Sequence, residues 1–258
     1  MTERIATLDV QLVGFTVFQP PVDSEGEWIF TPDLRNELPL EVMGEPLFSG
    51  EALNEFAGRA CYQAWSKSNP QTATNEGYLA NILDHAHHSV LEHASVSLYI
   101  QGVSRSLTHE LVRHRHFSPS QLSQRYVDSR DARLVVPPAF IDDNDYVLDT
   151  MVPSFELALR DYEFAVERRM ARGDGRKEAR QAARAYLPNM TETKLVITAN
   201  YRAWLEFLIK RDSDAADVEI RQLARRCSRL LERHAPNVFG PKAREFWDTS
   251  AQQTAANA

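Results

Sequence analysis

The run Arg113-His114-Arg115-His116-Phe117-Ser118-Pro119-Ser120-Gln121-Leu122-Ser123-Gln124-Arg125-Tyr126 places three arginines, three serine hydroxyls and two amides within fourteen residues. Guanidinium and amide groups are planar and hydrogen-bond in fixed directions, which suits bidentate capture of phosphate or carboxylate. No lysine interrupts the run, and its flanks (Leu107 and Leu111 before, Leu134 and Val135 after) read as core elements. A solvated basic loop would have neither property. So many orienting donors held beside a core describe a small-molecule site.

The rest of the chain narrows what that molecule is. The ten glycines form neither G-x-G-x-x-G nor G-x-x-x-x-G-K-[ST], so a bound nucleotide must have its phosphate held by side chains. Of 29 basic residues, 24 are Arg and five are Lys. Genomic base composition can produce the same bias, so position carries the argument. Arg176, Arg180 and Arg184 recur every four residues on one helical face; the first two read as solvated or ion-paired, and Arg184 lies nearest Pro188 and the helix end. A net charge of -7 opposes broad nucleic-acid binding.

Seven of the eight histidines lie between His85 and His116, which raises a metal-dependent hydrolase as one alternative. Three arginines near His114 would repel a divalent cation, and no H-E-x-x-H spacing occurs. A non-catalytic nucleotide-binding module is the other alternative; the lack of a basic tail opposes a nucleic-acid version of it. Cys61 and Cys227 form no C-x-x-C pair, which excludes a disulfide framework and a cysteine-rich zinc site. Each falls on an apolar helical stripe and is expected to be buried. No apolar run approaches the roughly 20 residues of a membrane span, and Met1 to Ile5 lead into no secretory signal core. No membrane association is expected, and a cytoplasmic protein is.

The elements that must position these residues follow from periodicity. Residues 9–18 read as a strand, and 19–50, rich in Pro, Gly and acidic residues, as a long surface excursion. Helices are predicted over 51–65 and 76–86. His93 to Gln101 alternates as a half-buried strand with Ala94, Val96, Leu98 and Ile100 on one side. A short helix carries Arg105, Glu110 and Arg113, and a short strand covers 133–136. Helices over 151–171 and 176–188, a strand over 192–199 and helices over 201–212 and 217–234 complete the core. Residues 251–258 read as a disordered tail after a single domain over 1–250. Helices outnumber interspersed strands, so the fold class is mixed α/β, an α+β domain with a small antiparallel sheet flanked by helices.

The spacing R-H-R-x-x-S-x-x-x-x-S-x-R, met by Arg113, His114, Arg115, Ser118, Ser123 and Arg125, resembles the signature of flavin-dependent thymidylate synthases. The resemblance extends upstream to residues 87–93 and downstream to 180–188 and Asn200-Tyr201-Arg202, spanning about residues 52 to 234. It implies that family's fold and a reaction in which deoxyuridylate becomes thymidylate. Methylenetetrahydrofolate donates the carbon, a flavin supplies hydride and NADPH recharges it, with no cysteine nucleophile. It also implies deoxyuridylate contacts at Glu110, Arg113, Gln121, Ser123, Arg125, Arg184 and Arg211. FAD contacts are implied at Ser89, Arg113, His114, Arg115, Gln121, Asn200, Tyr201 and Arg202. Arg211 is the implied catalytic residue, set against the pyrimidine edge. His87 matches a histidine near flavin and folate. Family members are homotetramers whose sites form between subunits. Two positions depart from the pattern: Pro119 stands where tyrosine is common, and Glu206 where relatives carry histidine or an amide.

Overall fold

The computed structural model describes residues 4–33, 37–42 and 45–245. Its strands are β1 (Asp9–Phe15), β2 (Val17–Phe18), β3 (Glu37–Val42), β4 (Glu45–Ser49), β5 (Ser95–Ser104), β6 (Ser118–Gln121) and β7 (Glu192–Asn200). Its helices are α1 (Gly50–Tyr62), α2 (Asn75–Asp84), α3 (Arg105–Leu111), α4 (Asn144–Tyr146), α5 (Val152–Ala171), α6 (Arg176–Ala183), α7 (Tyr201–Arg211), α8 (Val218–His234) and α9 (Pro236–Phe239). This is the expected mixed α+β class, with a small antiparallel sheet and flanking helices. One sheet has the order β1-β5-β7-β6, the other β2-β4-β3. The chain divides into two compact units: residues 1–11, 99–197 and 217–223, and residues 12–98, 198–216 and 224–258. The tail expected over 251–258 lies outside the described residues. Among those that are described, no helix is long and apolar enough to cross a membrane.

The two long strands behave as their alternation demands. Ala94, Val96, Leu98 and Ile100 are buried, as are Leu195, Ile197 and Ala199 on β7. Near the end of β5, Gly102 adopts φ +71, and a Cβ there would meet the Thr7 carbonyl oxygen at 1.9 Å. Only glycine permits both the backbone angle and the close approach. Its N–H donates to Glu192 Oε1 at 3.0 Å, and the same carboxylate is gripped by Arg133 through Nε and Nη2 at 2.9 and 2.6 Å. In the first unit, Leu134, Val147, Met151, Val152, Phe155 and Leu159 form a core cluster, and Tyr162, Val166, Ala179 and Ala183 form another between α5 and α6.

Several elements differ from expectation. Part of the 19–50 stretch is ordered: Val22 bridges Trp28, β4 lies between β2 and β3, and Phe30 packs with Phe18, Phe48 and Ala52. Its aromatic residues sit at irregular intervals among prolines and acids, which hides them from any period. The strand expected over 133–136 is reduced to bridges from Leu134 to Ile5 and Thr191, because Pro137-Pro138 supply no N–H to extend a ladder. α6 stops at Ala183, and Arg184–Tyr186 tightens into a 3-10 turn ahead of Pro188, whose ring disfavours helix in the residue before it. β6 arises inside the arginine-serine run, at the edge of its sheet, the location in which a strand tolerates Pro119.

α1 corrects the expectation for Cys61, which is exposed, whereas Cys227 is buried as expected. The helix buries its polar face, Glu51, Asn54, Glu55 and Arg59. Polar groups can be buried when they are paired. Glu55 Oε1 receives Arg59 Nε at 2.7 Å and Glu55 Oε2 receives Asn75 Nδ2 at 2.9 Å. Glu51 Oε1 accepts the backbone N–H groups of Asn237 and Val238 at 2.7 and 3.1 Å. With that face inward, Cys61 turns out.

Burial pushes the Glu51 carboxyl up from 4.5 to about 8, against the lowering effect of the two N–H donors. The folded chain therefore holds a proton that the unfolded chain releases above about 4.5, and stability falls as pH rises from there toward 8. We expect thermal unfolding followed from pH 5 to 9 to show a falling Tm in the wild type. The fall should be shallower in Glu51→Gln, whose amide oxygen still accepts both N–H groups. Parallel profiles would mean that Glu51 is ionised in the folded chain.

Candidate functional site

α3 is the element on which the first candidate site is built. Its N-cap Ser104 accepts the Leu107 N–H at 3.0 Å, a bond whose loss typically costs about 1 kcal/mol. Glu219, at the start of α8, accepts the Ser104 N–H at 2.8 Å and its hydroxyl at 2.7 Å. The start of α3 is thus fixed from both sides. After the helix, Arg113, His114 and Phe117 donate backbone N–H groups to Glu110, Leu111 and His114, turning the chain tightly into β6. The rings of His114 and Phe117 stack at 5.5 Å. Leu122 N–H then bonds the Lys194 carbonyl at 2.8 Å and ties the run to β7.

A cavity of about 560 Å³ opens beside α3, lined by Arg105, Thr108 and His109 from the helix, Gln121 and Gln124 from the run, and Gln181 and Arg184 from the α6 end. Among the described lining residues there is no carboxylate. Arg105 is half-buried and donates to the Leu122 carbonyl at 3.3 Å. Burial first, and the Arg184 charge second, hold its guanidinium below the usual arginine range. Two cations face a common space without an anion between them. Such a space attracts phosphate.

Ser123 and Arg125 follow Gln121 in the chain. Arg125 Nε is buried without a hydrogen-bond partner, and its guanidinium carbon lies 6.0 Å from the Tyr126 ring centroid. A buried donor on a charged group is costly to leave unmade. Arg180 is ion-paired, as its place on the helical face suggested: it donates to the Tyr126 carbonyl at 2.7 Å and to Asp128 at 3.1 Å. Those bonds fix the far end of the run.

The second unit carries a cavity of about 490 Å³ lined by His87, His88, Ser89, His93 and Arg202, with Tyr62, Tyr78 and Cys61 on its wall. Ser89 sits in the 3-10 turn His88–Glu92. Arg202, in the first turn of α7, pairs with Glu92 and lies 3.6 Å from Glu206, which is itself 3.7 Å from Lys210. Burial, then the Arg202 charge, lowers the His88 imidazole from its ordinary value, with Glu206 opposing. His88 is therefore a neutral imidazole at physiological pH. Asn200 caps α7 through its side-chain oxygen, which accepts Ala203 N–H at 2.9 Å. Tyr201 is fully buried, and its backbone N–H donates to the Ala94 carbonyl at 2.9 Å.

The sequence-derived residues are therefore distributed unequally. Gln121 and Arg184 share the first cavity, with Ser123 and Arg125 next in the chain, and Ser89, His87 and Arg202 share the second. Glu110, Arg113, His114, Arg115 and Arg211 line neither cavity. Arg113 and Arg115 are exposed, and Arg211 is the last residue of α7. Arg105, Thr108 and Gln181 line the first cavity without having been singled out as site residues. Arg105 offered the one signal, an arginine opening the helix that carries Glu110 and leads into the run. His87, His88 and His93 line the second cavity, and among the described residues no group of three or more His, Cys, Asp or Glu side chains could hold a metal ion.

The model of the family described as thymidylate synthase complementing protein matches residues 48–237. The chain belongs to that family. It is 51% identical over 240 residues to the flavin-dependent thymidylate synthase of Mycobacterium tuberculosis (strain ATCC 25618 / H37Rv), covering 91% of this chain and 89% of the relative. It is 50% identical over 243 residues to the protein of the same name from Mycobacterium avium (strain 104), covering 92% and 90%. A third such relative, from Mycobacterium marinum (strain ATCC BAA-535 / M), is 50% identical over 241 residues, covering 91% and 89%.

The two thiols differ in access. Burial pushes Cys227 up to about 12, so it stays protonated, and Cys61 stands on the wall of the second cavity. A thiol-reactive dye should count one cysteine per native chain and two after denaturation. Two in the native chain would contradict the burial of Cys227.

Proposed function

We propose that this chain is a flavin-dependent thymidylate synthase that binds deoxyuridylate in the α3 cavity and methylates it at uracil C5. It takes the carbon from methylenetetrahydrofolate and reducing equivalents from NADPH, with FAD as the flavin, and it acts in the cytoplasm. The observation that carries this reading is the pair Arg105 and Arg184 lining one cavity whose described lining holds no carboxylate; the unpartnered Nε of Arg125, in the same run as Gln121, is a further donor. A nucleotide phosphate carries about two negative charges, and each charge-assisted hydrogen bond contributes roughly 1.5–3 kcal/mol. Together these side chains supply the phosphate grip that a glycine loop supplies elsewhere.

The second cavity suits the flavin in donor chemistry: the Ser89 hydroxyl, the Arg202 guanidinium and neutral imidazole at His88, against the tyrosine rings of Tyr62 and Tyr78. Ser89, Gln121, Asn200, Arg202 and the run of His114 between the exposed Arg113 and Arg115 would hold it, with Tyr201 limited to its backbone. When bound, the flavin supplies hydride, which no side chain can. The chain's own residues bind, align and polarise. Gln121, Ser123, Glu110 and Arg113 orient the nucleoside, and Arg211 stabilises negative charge on the pyrimidine as C5 becomes nucleophilic. The exposure of Arg113 and Arg115 supports a homotetramer in which their guanidinium groups complete sites of neighbouring subunits.

The deciding experiment incubates purified protein with deoxyuridylate, methylenetetrahydrofolate and NADPH, with and without FAD. Thymidylate should form only when FAD is present; none under either condition would end the proposal. Arg211→Ala should slow turnover about 10²- to 10³-fold, as the loss of one charge-stabilising donor does, and unchanged turnover would remove Arg211 from this role. Arg105→Ala should weaken deoxyuridylate binding by about tenfold or more, the equivalent of one charge-assisted bond, in direct titration. Equal affinity would place the phosphate elsewhere.

A further inference from the structure

Gln121 lines the α3 cavity, and its amide is not free to choose which end it presents. Its Nε2 donates to Thr193 Oγ1 at 3.2 Å and to Thr108 Oγ1 at 3.3 Å. An amide can be turned by 180° at almost no cost unless its partners distinguish oxygen from nitrogen. Thr108 distinguishes them. Its hydroxyl donates to the Arg105 carbonyl one turn back, at 2.8 Å. A hydroxyl has one proton, so with that proton committed Thr108 can only accept. The group opposite it must be the NH₂ end of Gln121. Both threonines are buried, so no solvent competes for these positions.

We infer that Thr108 is a positioning residue that locks the polarity of the Gln121 amide, so that the nucleotide meets its carbonyl oxygen and must offer a proton donor there. Both amide protons are directed at threonine oxygens, and Oε1 is the polar atom left for a ligand. In deoxyuridylate the donors are the 3′-hydroxyl of the sugar and N3–H of the base. This rests on the proposed function and adds to it: one cavity contact is acceptor-only, and its selectivity is set by Thr108 acting through the Gln121 amide. A site that has fixed an acceptor rejects an analogue lacking the matching donor, because the carbonyl is then left unpaired.

The test measures binding of deoxyuridylate, 2′,3′-dideoxyuridylate and N3-methyl-deoxyuridylate to flavin-loaded protein by titration calorimetry. In the wild type, one of the two analogues should bind about 5- to 10-fold more weakly than deoxyuridylate, the scale of one neutral hydrogen bond. Thr108→Val keeps the shape but removes the hydroxyl and so releases the amide to rotate. Deoxyuridylate should then weaken by a similar factor, while the discriminated analogue is unaffected, and Thr108→Ser should restore wild-type values. If Thr108→Val does not fold, Thr108→Ala, which removes the same hydroxyl from a smaller side chain, should reproduce the loss for deoxyuridylate alone, whereas Thr193→Val, which leaves the Thr108 lock in place, should keep the wild-type discrimination between ligands. Wild-type affinity in Thr108→Val, or equal weakening of all three ligands, would overturn the inference while leaving thymidylate formation intact. Failure of the wild type to bind deoxyuridylate would overturn the functional reading and this inference together.

Discussion

Like charges held together without a counter-charge are the constraint on which the rest of the site depends. Arg105 is half-buried with the Arg184 charge near it, and folding must offset that cost. The offset is local and visible in α3: a serine cap, a carboxylate from α8 on that cap, and a backbone carbonyl accepting from Arg105 itself. A dianion entering the cavity removes the repulsion, so its binding free energy includes relief of a strain already present in the folded chain. Affinity here is prepared by the scaffold.

The two cavities divide the chemistry differently. The first is walled by guanidinium, amide and hydroxyl groups from α3, β6 and the α6 end, all within one unit, and Arg105, Thr108 and Gln121 are each held by a named hydrogen bond. The second is walled by imidazoles and tyrosines around a single arginine already engaged by Glu92. One wall selects charge and hydrogen-bond polarity; the other offers flat surfaces with a few polar points. Of the thiols, Cys227 is kept protonated by burial, and Cys61 is exposed on the wall of the second cavity.

Much of this was legible in the sequence, and what was not has physical reasons. Alternation announced β5 and β7 because each buries one face completely, and the i, i+3, i+4 stripe announced α8 for the same reason. α1 misled because its buried face is built from paired carboxylates, and pairing across 20 residues, as between Glu55 and Asn75, leaves no periodic trace. β6 was hidden because an edge strand of four residues needs no apolar alternation. The site showed the same split. Gln121, Ser123, Arg125 and Arg184 stood out by type and spacing. Arg105 and Thr108 matter through what faces them across a cavity, and Tyr201 was credited with a side chain that the fold buries.

Pro119 has a bearing on solubility. β6 is the last strand of its sheet, and an unprotected last strand offers a row of vacant amide donors to any extended peptide that drifts alongside. With a pyrrolidine ring in the second of four positions, that row is broken at its middle. The most polar, ligand-facing stretch of the chain is thereby kept from acting as a template for polymerisation, at a position where another side chain would have kept the donor.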